Sequence, residues 1–114
     1  MVVERGTIWW ADIGAPRGSG AGFRRPILVV QADAFNRSRI QTVIAVILSS
    51  NMRLLDAPGN VLVPARHAGL AKSSVANVSQ VITVDRGDLT ELAGRLDEPA
   101  LRRVDAGLRL VLHL

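Results

Sequence analysis

Apolar positions run in short blocks or alternate with polar ones through residues 7–84, then recur every three to four residues from position 97. The first pattern predicts strands and the second a helix. Thr7–Ile13 reads as a strand rich in β-formers, with Asp12 inside the alternation. Arg25–Gln31 and Thr42–Leu48 are apolar on both faces, so each is expected in the middle of a sheet. Val61–Val63 is a short strand that Pro64 stops or places at an edge. Ser74–Val84 is a longer strand, interrupted by the polar residues Asn77, Ser79 and Gln80. The intervening segments 14–24, 32–41, 50–60 and 65–73 carry the glycine, proline and polar residues of loops and turns. Asp88–Ala93 reads as a single helical turn.

The helix begins after Asp97, which suits an N-cap, with Glu98 and Pro99 in the first turn. Leu101, Val104, Leu108, Val111 and Leu112 form one apolar face, and Arg102, Arg103 and Arg109 lie off it. Gly107 weakens such a helix by about 1 kcal/mol, so packing must hold it. No repeat, linker or low-complexity stretch divides the chain. The expectation is one α+β domain over residues 1–114, with five short, mostly antiparallel strands and one C-terminal α-helix.

Composition narrows the chemistry. Of 14 basic residues thirteen are arginine and one, Lys72, is lysine, against 10 acidic residues. The net charge of +4 favours polyanionic partners without fixing a function. Arginine equips a surface for phosphate contacts better than lysine, although a GC-rich genome produces the same bias. Without cysteine there is no disulfide, thiol nucleophile or Cys-based zinc site. The N-terminus lacks a signal-peptide pattern and the apolar runs are too short to span a bilayer, so a cytoplasmic protein with no membrane contact is expected. His67 and His113 have no metal-ligand spacing, and no carboxylate cluster suits a two-metal nuclease, so no cofactor is expected.

The densest candidate chemistry is the segment from Pro16 to Pro26, where Gly18, Gly20 and Gly22 lead to Arg24, Arg25 and a buried strand. Glycines allow close backbone approach to a ligand, and arginine offers a phosphate-matching fork. A solvated basic hairpin loop has the same composition. Ile8-Trp9-Trp10-Ala11-Asp12-Ile13, Gly18-Ser19, Arg25-Pro26-Ile27-Leu28-Val29-Val30, Ile47-Leu48-Ser49-Ser50-Asn51 and Asn77-Val78-Ser79-Gln80-Val81-Ile82-Thr83-Val84-Asp85 follow in order along the chain. In that order and spacing they resemble the MazF/PemK (Kid-like) family of toxin–antitoxin ribonucleases. The resemblance implies an SH3-like curled sheet or partial barrel, a homodimer, and a sequence-specific, metal-independent endoribonuclease (an mRNA interferase) cleaving single-stranded RNA. It also implies an acidic, MazE-like antitoxin as partner.

The family's catalytic pair, an Arg before the Pro and a Thr or Ser after the third strand, maps to Arg25 and Ser49. Serine keeps the hydroxyl but loosens the rotamer. Taken alone, Ser49 reads as an ordinary strand-end residue. In RNA the 2′-OH is the nucleophile, so the enzyme needs in-line positioning, charge stabilisation and proton transfer, and the products are a 2′,3′-cyclic phosphate and a 5′-OH. Candidate RNA contacts are Arg17 and Ser19 on the glycine loop, Arg24, Asn36, Gln80 (with Asn77 beside it) and Trp10 as a stacking face. Arg24 also reads as a surface charge, the amides as turn caps, and the tryptophan pair, Trp9 above all, as core. Two other functions fit the same architecture: a CcdB-like poison that binds gyrase without cutting nucleic acid, and a plain RNA-binding module.

Overall fold

The computed structural model describes residues 1–14 and 23–114, so Arg17 and Ser19 lie outside the described residues. Six antiparallel strands form one sheet in the order β4-β5-β3-β2-β1-β6. They are β1 (Thr7–Asp12), β2 (Arg24–Val29), β3 (Thr42–Ser49), β4 (Val61–Val63), β5 (Ser74–Asp85) and β6 (Leu89–Arg95). Short helices α1 (Asp33–Asn36) and α2 (Ala65–Ala68) sit in connections, and α3 (Glu98–Leu112) closes the chain. The sheet curls into a half-barrel, as the resemblance implied.

Alternation along the central strands divides the core in two. Ile8, Leu28, Val46 and Leu48 join Val61, Val63 and Val78 beneath Leu101 and Val104 of α3. Their sequence neighbours Trp9, Ile27, Val29, Ala45 and Ile47 pack on the opposite face with Val3, Val84 and Leu89. Both faces of β2 and β3 are thus buried within one chain, as expected for strands apolar on both sides. Trp9 is core, and its indole N–H donates to Thr7 Oγ1 at 3.1 Å.

The sixth strand corrects the sequence reading. Asp88–Ala93 was expected to form a helical turn, but only Arg86–Asp88 makes a 3-10 turn, and Leu89–Arg95 is a strand. Its Leu-Thr-Glu-Leu-Ala-Gly-Arg sequence has little β-propensity. Pairing with β1 overrides that local preference, and register shifts on either side of the Trp9–Trp10 pair blur the period-2 signal that would have revealed it. Two smaller differences follow from the same tertiary control. The second strand ends at Val29 rather than Gln31, whose buried side chain instead bridges Asn36 and the backbone of Thr42 and Ile44. Within the 65–73 loop lies the single turn of α2.

The terminal helix starts where expected. Asp97 accepts a hydrogen bond from the Ala100 N–H at 2.9 Å, a cap that typically contributes about 1 kcal/mol. Leu101 and Val104 are buried and Leu108 half-buried, but Val111 and Leu112 are exposed. Gly107 has a packing reason: a Cβ there would meet the Gly59 carbonyl oxygen at 2.1 Å, so helix and loop touch backbone to backbone. In an ordinary helix Gly→Ala stabilises by about 1 kcal/mol. Here Gly107→Ala should destabilise by about 2 kcal/mol, because a backbone oxygen cannot step aside as a flexible side chain would. Urea titration checks the sign, and a gain in stability would mean the approach is looser than described.

Candidate nucleic-acid site

Strand pairing brings the two proposed catalytic positions to one end of the sheet. β2 and β3 pair as Ile27↔Ile47, Leu28↔Val46 and Val29↔Ala45. Continuing that register by two residues sets Arg25 across from Ser49, while Ala11 of β1 pairs with Arg25 on its other side. The Ser49 hydroxyl, half-buried, accepts the Asn51 N–H at 3.2 Å, which fixes the turn leaving β3. Pro26 follows Arg25 inside β2, aligned with Trp10.

A cleft of about 260 Å³ opens at this end. Arg25, Arg24 and Trp10 line it together with Leu48, Ser50, Lys72 and Ser74. Lys72, Ser50 and Ser74 were not among the expected site residues. One signal for Lys72 was available, since it is the sole lysine in a chain that otherwise uses arginine. Ser50, which directly follows Ser49, lines the cleft, and Ser49 itself does not.

Arg24 has two partners. Its guanidinium carbon lies 4.5 Å from the centroid of the Trp10 ring, and its Nη2 donates to Glu91 Oε2 at 2.9 Å. Glu91 belongs to β6, two strands from Arg24, and its backbone is aligned with Trp10.

A larger cleft, about 640 Å³, is lined by Gln80, Ile47, Ile82 and Gly14 together with Asp12, Asp85 and Asp88. Three carboxylates make it a poor seat for phosphate, so volume alone does not mark the anion site. Among the described residues no three His, Asp or Glu side chains are grouped as a metal site. Gln80 reaches this larger cleft through a bulge: Val46 pairs with Val81 but Ile47 with Asn77, so residues 78–80 are extra on β5. Asn77, buried, donates to Gln80 Oε1 at 2.8 Å and accepts from Asn60 and Ser79.

Asn36 lies beyond the far end of β2 from Arg25, and both its amide atoms are engaged. It donates to the Gln31 carbonyl at 2.9 Å and to Asp33 Oδ1 at 3.1 Å, and accepts from Gln31 Nε2 at 2.9 Å. The Arg5 backbone N–H, donating to Asp33 Oδ1 at 2.8 Å, and Asn36 hold the Asp33 carboxyl below its ordinary value. These bonds make a structural knot. The structure therefore brings together Arg24, Arg25, Trp10 and Ser50, places Gln80 in the larger cleft, leaves Ser49 at the end of β3 outside the lining of both clefts, and sets Asn36 apart.

Comparison with known proteins agrees with this architecture. Residues 4–112 match the model of the PemK-like, MazF-like toxins of type II toxin–antitoxin systems. The chain is 46% identical to endoribonuclease MazF6 of Mycobacterium tuberculosis over 114 residues, covering 100% of both chains. It superposes on the crystal structure of MazF from Deinococcus radiodurans with a TM-score of 0.83, at 23% identity over 100% of this chain and 99% of that one. An endoribonuclease from a mycobacterial species, solved in complex with its cognate antitoxin, gives a TM-score of 0.79 at 22% identity, covering 98% and 96% of the two chains. The matched span, the full-length identity and the curled sheet agree, and the chain belongs to the PemK-like, MazF-like toxin family.

Proposed function

We propose that this chain is the endoribonuclease toxin of a type II toxin–antitoxin module, cleaving single-stranded RNA without a metal ion at the Arg25 end of the sheet. The supporting observation is the cleft where Arg25, Lys72 and Trp10 converge beside the end of β3. It offers cationic groups and an aromatic face on rigid strand ends, which suits a phosphate flanked by a base. Family membership favours this reading over a CcdB-like gyrase binder and over an inactive RNA-binding module.

In the proposed reaction the 2′-oxygen attacks the adjacent phosphorus as the 2′-OH proton passes to solvent water. The bond from phosphorus to the 5′-oxygen breaks, and that oxygen takes up a proton from water. The products are a 2′,3′-cyclic phosphate and a 5′-OH. Arg25 neutralises the charge growing on the non-bridging oxygens, and the Ser49 hydroxyl donates to one of those oxygens. Arg24 contacts phosphate, Trp10 stacks on a base, and Gln80, with Arg17 and Ser19 of the loop, reads base edges. Asn36 is not among the readers, because its amide is committed to Gln31 and Asp33.

The partner is an acidic antitoxin segment that competes with RNA for the basic cleft, by analogy with the mycobacterial complex. Substrate and antitoxin together put the working protein in the cytoplasm. Among the described residues no helix is long and apolar enough to cross a membrane.

The working unit is a homodimer. Its support is not the central strands, whose two faces are already buried in one chain. It is the apolar side chains left exposed at the end of α3, Leu110, Val111, Leu112 and Leu114, with Met52 and Leu55 of the 3-10 turn Met52–Asp56 and Leu62 of β4. Sedimentation at micromolar concentration should show a dimer, and a lone 12.2 kDa species would contradict it.

Arg25→Ala should slow cleavage by a factor of about 10² or more, the scale of losing one transition-state donor. Ser49→Ala should cost less, and Ser49→Thr should keep most of the rate. A folded Arg25→Ala protein that cuts at near wild-type rate would remove the central residue from this reading.

A further inference from the structure

We infer that Glu91 is a positioning residue for RNA binding: it holds Arg24 over Trp10 as a stand-in for a substrate phosphate and gives way when RNA enters. This rests on the smaller cleft being the RNA site.

Three neighbouring strands make the arrangement. Arg24 on β2 is aligned with Asp12 of β1, and Glu91 on β6 with Trp10 of β1, so the Arg24 side chain crosses β1 diagonally. At 4.5 Å from the ring centroid the guanidinium covers a face of Trp10, and the 2.9 Å bond to Glu91 anchors its far end. The same Trp10 and Arg24 line the cleft that contains Arg25 and Lys72. A carboxylate and a phosphate both offer anionic oxygens that accept from arginine, so Glu91 occupies the kind of contact that a phosphate would make.

The pair is also easy to exchange. The Arg24 and Glu91 side chains are 50% and 65% exposed, and ion pairs in that setting contribute little net stability. The contact with the indole stays available while the anionic partner changes, because a guanidinium can stack on a ring and bond in its own plane at once. Two consequences follow. Unbound protein keeps Arg24 ordered and charge-neutralised beside the cleft, and each RNA molecule must displace a fixed negative charge before Arg24 reaches its phosphate. Glu91 therefore lowers affinity for any RNA backbone, which limits retention of product.

The test measures binding of a fluorescein-labelled, uncleavable 2′-O-methyl RNA 20-mer of random sequence to the full-length chain, by anisotropy at fixed ionic strength. Glu91→Gln should tighten binding about fivefold, the scale of freeing one exposed ion pair. Glu91→Asp, which keeps the charge but shortens the reach, should fall between the two. With cleavable RNA the change should appear as a lower KM rather than a higher kcat. In an Arg24→Gln background, Glu91→Gln should change affinity by less than about twofold, since Glu91 acts through Arg24. Wild-type protein that binds RNA while Glu91→Gln binds equally well would overturn the role of Glu91 and leave the RNA site standing. Equal tightening in both backgrounds would reduce Glu91 to a general charge effect and also overturn it. Failure of the wild-type chain to bind the probe at all would remove the RNA site and this inference together.

Discussion

Burial of both faces of β2 and β3 is the constraint on which the rest of the molecule depends. Ile27, Leu28 and Val29 on one strand and Ala45 to Leu48 on the other are inaccessible to solvent or nearly so. No charged side chain fits in those spans without losing hydration, a loss of several kcal/mol for an unpaired ion. Polar chemistry is therefore displaced to the strand ends. Arg24 and Arg25 stand where β2 begins and Ser49 where β3 finishes, on antiparallel neighbours, so burial itself delivers them to the same edge.

Charge is sorted along with position. The smaller cleft carries Arg24, Arg25 and Lys72, and the larger carries Asp12, Asp85 and Asp88. On the proposed function, that difference in charge would draw a phosphate to the first cleft rather than the second. Two strand ends at this edge are tied to their neighbours. Arg24 is tied to Glu91 and Trp10, and the turn after Ser49 is tied back to its hydroxyl.

Much of this was legible in the residues. The two-sided apolar runs announced β2 and β3, Pro64 an edge strand, and Asp97 the start of α3, because each signal is local and strong. What stayed hidden depends on partners distant in sequence. Strand β6 exists because β1 pairs with it, against its own weak propensity. Asn36 and Gln80 look alike as amides, yet one is consumed by a hydrogen-bonded knot and the other is lifted towards a cleft by a bulge. Glu91 is an unremarkable surface carboxylate until the sheet order sets it across β1 from Arg24. Gly107 reads as a weak point in a helix, and only the approach of Gly59 explains it.

The proposed reaction depends on the substrate supplying its own nucleophile. The most direct measurement is end-group analysis of a long single-stranded RNA cut by the purified protein in excess EDTA. Undiminished cleavage, with 2′,3′-cyclic phosphate on one product and 5′-OH on the other, is the result this account predicts, and a 2′-deoxy sugar at the scissile position should abolish it. Activity that disappears in EDTA and returns with Mg²⁺, or products bearing 5′-phosphate, would contradict it.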